Sequence, residues 1–100
     1  MCTGIVQTAK VIGSGKGPQE WFQLERVNVT YDCSYHTSMQ QALNIDFVNE
    51  TSGPNARVAV ELAPGSAMEL VRDILAALSR GGVDPGQAAL EVAVAELKGR

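Results

Sequence analysis

Three side chains that can bind a metal ion or move a proton stand close together in this chain: Asp32, Cys33 and His36. The spacing Cys33-x-x-His36 suits a zinc pair, because a thiolate and an imidazole are the usual ligands of a tetrahedral ion. A closed site needs four ligands. His36 is the single histidine and Cys2 the only other cysteine, so a carboxylate such as Glu20, Asp46 or Glu50 would have to complete the set. A divalent metal on Cys33 and His36 is therefore the one cofactor these residues suggest. His36 is also the only side chain whose ordinary pKa lies near neutrality, and Asp32 could orient it as a general acid or base. His36 and Asp32 are thus the candidate catalytic residues, although no nucleophile motif accompanies them. A histidine in a polar loop more often serves local hydrogen bonding, and that plainer role stands beside the chemical one.

These residues belong to the polar loop Asp32–Gln41, which two strand-like runs must position. Trp21 to Tyr31 precedes it and Ala42 to Asn49 follows, with Leu43, Ile45 and Phe47 alternating with Asn44 and Asp46. In the earlier run the apolar positions change phase, from Phe22 and Leu24 to Val27, Val29 and Tyr31, which predicts a β-bulge near Glu25–Arg26. Two more strands are expected at Thr3–Ile12 and Ala56–Leu62. Gly13-Ser14-Gly15-Lys16-Gly17 lacks the glycine spacing and the following helix of a phosphate loop. It reads as the mobile tip of a long hairpin.

After Leu62 the apolar period lengthens to 3.6. Ala67, Leu70, Val71, Ile74, Leu75 and Leu78 predict one stripe of a helix over Ser66–Arg80, capped by Ser66 with Glu69 and stopped by Gly81. Asp84-Pro85-Gly86-Gln87 repeats a helix start, predicting a second helix to about Lys98. The expected fold is α+β: a four-stranded antiparallel meander with the first helix packed on one face, a domain over 1–82 and a C-terminal helical extension over 83–100. Two cysteines in a reducing compartment are expected as free thiols.

One helix covers one side of a sheet, so the opposite face is left over. Alternation assigns to it Val6, Thr8 and Lys10, then Asn44, Asp46 and Val48, then Arg57, Ala59 and Glu61. Lys10, Asn44, Asp46 and Arg57, with Tyr35 from the adjoining loop, are the candidate ligand-binding residues.

The 100 residues carry a net charge of −3 with eight basic residues spread along the chain, which argues against nucleic acid. No apolar run is long enough for a membrane span and the N-terminus lacks a signal-peptide pattern, so a cytoplasmic protein without membrane contact is expected. The opening Met1 to Gly17, together with Tyr31 to Asn49 ending in Ala42-Leu43-Asn44-Ile45-Asp46-Phe47-Val48-Asn49, resembles a family of small uncharacterised bacterial proteins, a domain of unknown function. The resemblance runs to about Gly81 and implies a stand-alone bacterial protein without supplying an activity. The leading expectation is a non-enzymatic module, homo-oligomeric, using the polar sheet face and the 32–41 loop to hold a small molecule or a protein partner. The alternative is a small enzyme or metal protein centred on His36 with Cys33 and Asp32.

Overall fold

The computed structural model describes residues 3–34, 40–86 and 88. Six strands are present, β1 (Ile5–Lys10), β2 (Ser14–Lys16), β3 (Trp21–Gln23), β4 (Arg26–Cys33), β5 (Gln41–Val48) and β6 (Arg57–Leu62). A 3₁₀ turn at Glu50–Ser52 precedes β6, and one helix, α1 (Pro64–Arg80), follows it. Four strands form an antiparallel sheet in the order β1-β4-β5-β6, while β2 and β3 pair as a separate ribbon. The sheet is therefore not the simple meander expected: the neighbour of β1 is β4, with the ribbon inserted between them in sequence.

The insertion explains the phase change in the Trp21–Tyr31 run. The Leu24 amide donates to the Gly13 carbonyl at 2.8 Å, but the Glu25 amide donates to Val48 at 3.1 Å. The chain thus changes sheet between these two residues, and the expected bulge is a break between two strands. Nor is the glycine-rich stretch a hairpin tip. A Cβ on Gly17 would lie 2.8 Å from the Asn55 carbonyl oxygen, and one on Gly15 would lie 3.4 Å from Val58. These glycines let the ribbon approach backbone and sheet, a steric role instead of a hinge.

Cross-strand register sorts the sheet into two faces, since directly paired residues point the same way. Val27, Val29 and Tyr31 share one face with Ile45, Leu43 and Val60; Asn28 and Thr30 share the other with Thr8, Asp46 and Asn44. The nine residues assigned to the polar face by alternation all fall on it. The best-buried residues do not lie in the middle of the apolar face. Apart from Ala42 they gather where β5 turns toward β6: Val48, Asn49 and Ala56.

The chain divides into two compact units, 1–64 and 65–100. Helix α1 begins at Pro64, which suits a first helical position because proline has no amide hydrogen to leave unpaired. Ser66 is consequently inside the helix and not its cap, and Glu69 pairs with Arg72 at 3.0 Å. At the other end the left-handed residue is Gly82, not Gly81: with φ of 76° it lets Val83 donate to the Leu78 carbonyl while its own amide donates to Ser79. That pair of bonds is a Schellman stop. The stripe is where it was expected. From Met68 to Arg80 every residue of α1 is exposed, Leu75 at 62% and Val71 at 51%. Among the described residues there is one helix. The predicted second one lies almost wholly outside them, save its start, where Asp84 accepts from the Gly86 amide and Ala88 donates to the Asp84 carbonyl.

Candidate ligand-binding face

The polar face is organised by one row of residues running across the sheet. Lys10 on β1 pairs with Arg26 on β4, Arg26 with Val48 on β5, and Val48 with Arg57 on β6. At about 4.8 Å per strand, three basic side chains that are far apart in sequence stand within roughly 14 Å, all on one face. The next row carries Thr8, Asn28, Asp46 and Ala59.

Carboxylates hold the two guanidiniums in place. Arg57 Nε donates to Asp46 Oδ1 at 2.7 Å, a diagonal contact between adjacent strands. The Asp46 hydrogen bond, and then its charge, raise the Arg57 pKa above the ordinary arginine value, opposed slightly by desolvation. Arg26 donates through Nη2 to Glu50. Glu50 itself is placed by Asn49. The Asn49 side chain caps the 3₁₀ turn, accepting from the Thr51 amide at 3.1 Å and the Thr51 hydroxyl at 2.6 Å, while its Nδ2 donates to the Gln23 carbonyl at 2.9 Å. Asn49 is 8% exposed, so it is a buried polar group with its hydrogen-bonding capacity used, which ties the ribbon and the β5–β6 connection into one piece.

Between these side chains lies a cavity of about 440 Å³, lined by Arg26, Asn28, Asp46 and Arg57 at its polar wall and by Val48, Pro54 and Ala56 at its apolar one. Arg26 Nε is buried and has no acceptor among the described residues. A neighbouring hollow of about 340 Å³ shares Pro54 and Ala56 and is lined by Trp21 and Phe22 of the ribbon.

The fate of each expected site residue can be given in turn. Asp46 and Arg57 are brought into direct contact in the cavity. Lys10 lies in the basic row but does not line the cavity, and Asn44 lies farther along β5, donating to the Ala42 carbonyl of its own strand. Asp32 accepts from the Thr3 amide at 3.1 Å and the Cys33 amide at 2.8 Å, so its carboxylate fastens the start of β1 to the end of β4. Cys33 is disulfide-bonded, which corrects the expectation of a free thiol. The register that sets Ile5 opposite Tyr31 carries Thr3 to this end of β4, a proximity that sequence separation conceals. A disulfide sulfur is not a thiolate ligand, so the Cys33–His36 metal pair would first require reduction. Tyr35 and His36 lie outside the described residues, as does Cys2. Among the described residues no group of three or more His, Cys, Asp or Glu side chains could hold a metal ion.

Arg26, Glu50 and Asn28 are members of the face that alternation alone did not single out. Arg26 adjoins the phase break, so its side was ambiguous until the register placed it opposite both Lys10 and Val48. Glu50 follows the strand and has no alternation to read.

Residues 1–89 match a family of unknown function, DUF6295, and the chain belongs to that family. The match extends past Gly81, taking in the Schellman stop and the Asp84 cap. No curated protein and no solved structure matches the chain.

Proposed function

We propose that this member of a family of unknown function is a non-enzymatic binding module that works as a homo-oligomer. The observation that carries the reading is the gathering of Arg26 and Arg57, with Asp46 and Glu50, around one cavity on the polar sheet face. Charges prearranged and partly satisfied at a concave surface are the makings of a small-molecule site, since a few placed polar groups orient a ligand against an apolar wall. Chemistry would need a nucleophile or a base aimed into the same hollow, and the cavity lining supplies guanidiniums, carboxylates held by them, and an amide.

Association of copies is supported by the stripe on α1. A 17-residue helix is marginal in water by itself, and apolar burial normally supplies the rest of its stability. Met68, Val71, Ile74 and Leu75 are each at least half exposed, a patch of the kind that marks an interface. Light scattering after size exclusion tests this: a mass above 10.6 kDa that falls to the single-chain value in Leu75→Glu supports the reading, and a wild-type monomer refutes its oligomeric part.

The alternative, a small enzyme or divalent-metal protein around His36, is tested by elemental analysis of the protein as purified together with His36→Ala. Among the described residues no helix is long and apolar enough to cross a membrane. The cytoplasmic location proposed from the sequence stands against the Cys33 disulfide, because such bonds are rare in a reducing compartment. Alkylation of free thiols at lysis decides between them by the mass added.

A further inference from the structure

We propose that the Cys33 disulfide is a reversible latch, made with Cys2 of the same chain, that fastens the start of edge strand β1 and is opened by small thiols.

The pairing follows from count and position. Cys33 is disulfide-bonded, and the sequence holds one other cysteine, Cys2. Strand β1 runs antiparallel to β4 with Ile5 opposite Tyr31. Just ahead of it the Thr3 amide donates to Asp32 Oδ1 at 3.1 Å, and the Thr3 hydroxyl donates to the Tyr31 carbonyl. The same Asp32 oxygen accepts from the Cys33 amide at 2.8 Å. One carboxylate oxygen therefore holds both Cys33 and the residue that follows Cys2. A bond within one chain needs that proximity, whereas a bond to a second copy does not.

The bond sits where it can be cut and remade. β1 is the outer strand of the sheet with all six residues exposed, Thr3 is exposed, and Cys33 is only half-buried. Small thiols reach such a place, and exposed disulfides are the labile class. Opening takes two thiol equivalents. The first thiolate attacks one cysteine sulfur, forming a mixed disulfide and releasing the other cysteine as a thiolate. The second attacks the small thiol's sulfur in that mixed disulfide, frees the remaining cysteine and departs as the oxidised small disulfide, so two electrons and two protons pass to the protein. Closing is the reverse, and the Asp32 bonds keep the two segments together for it.

The latch acts on one end of β1. With it open, the start of the strand keeps only the exposed hydrogen bonds of Thr3, which contribute modestly in water. The far end stays held, because the Val11 amide donates to the Glu25 carbonyl at 3.2 Å and the Thr8 hydroxyl to Asn28 at 3.0 Å. Reduction thus frays β1 from Ile5 without dismantling the sheet.

The full chain, purified without reductant, is equilibrated across ratios of reduced to oxidised glutathione, quenched in acid and alkylated, and the oxidised fraction is read by mass. Expected are a proteolytic peptide pair joining Cys2 to Cys33 in a species of 10.6 kDa, and a passage from oxidised to reduced between the thiol poise of an oxidising compartment and that of a cytosol. Because the cross-link closes a loop of roughly 30 residues, reduction should lower the thermal midpoint by about 10 °C or more. Amide exchange should quicken about tenfold at Ile5 and change little at Val11. Cys2→Ser and Cys33→Ser should each match the reduced chain and ignore glutathione. A bond joining two chains, free thiols at the oxidising extreme, or a Cys33 still disulfide-bonded in Cys2→Ser overturns the pairing. A bond that stays closed at the reducing extreme, or equal exchange at Ile5 in both forms, overturns the latch.

Discussion

The sheet unit and the helix unit solve the problem of a small chain in opposite ways. At the end of the sheet where β5 turns to β6, a few polar groups are bonded to one another: Asn49 to Gln23 and Thr51, Glu50 to Arg26, Asp46 to Arg57. In α1 the local rules are all obeyed, from Pro64 at the start to the Gly82 stop, yet from Met68 onward nothing is buried. The contrast teaches that local rules suffice to make a helix, whereas the buried end of the sheet depends on bonds between segments distant in sequence. Apart from Ala42, the buried residues among those described are at this end of the sheet.

The comparison breaks most readily at Asn49. Asn49→Ala removes three hydrogen bonds and leaves the Gln23 carbonyl without its side-chain donor, so it should cost about 3 kcal/mol, read as a lower urea midpoint with unchanged slope. Asn49→Asp retains the acceptor for Thr51 but loses the donor, and a smaller drop would divide the effect between ribbon and turn. A loss under about 0.5 kcal/mol in Asn49→Ala would show that these bonds do not hold this end of the sheet together.

Next in size is the ribbon. Gly17→Ala drives a methyl to 2.8 Å from the Asn55 backbone oxygen, which cannot rotate away, and should cost about 1–3 kcal/mol. The same substitution in the other unit has the opposite sign. A Cβ on Gly65 meets nothing within 4 Å, and alanine there should add about 0.5 kcal/mol to the helix, seen as increased helicity on heating by circular dichroism. If both substitutions shift stability in one direction, the division of labour between the units is wrong. Smallest is Arg72→Ala, which breaks an exposed ion pair with Glu69 and should move the thermal midpoint by no more than the equivalent of about 0.3 kcal/mol.

Much of the fold could be read from residue order. The mostly alternating pattern at Val6-Gln7-Thr8-Ala9-Lys10 and Asn44-Ile45-Asp46-Phe47-Val48 placed the residues of the polar face on one side, because side-chain direction in a strand is a local consequence of the pleat. The site was less legible. Asp46 and Arg57 were named, but their contact depends on pairing between β5 and β6, and Arg26 joined them only once the ribbon was known to take up Leu24. Asn49 matches a glycosylation pattern with Thr51, and its burial shows that the same two residues are instead bonded to each other in a turn.

By itself the sequence determined the four strands of the main sheet, the sidedness of those strands and the presence of the helix, since these follow from sterics and hydrogen bonds within a few neighbouring residues. Tertiary structure alone decided that Lys10, Arg26 and Arg57 share a row and that Asp32 fastens Thr3 beside a disulfide-bonded Cys33. Those outcomes hang on register, and register is a property of distant segments meeting, set by an inserted ribbon whose close approach needs Gly15 and Gly17 to have no side chain.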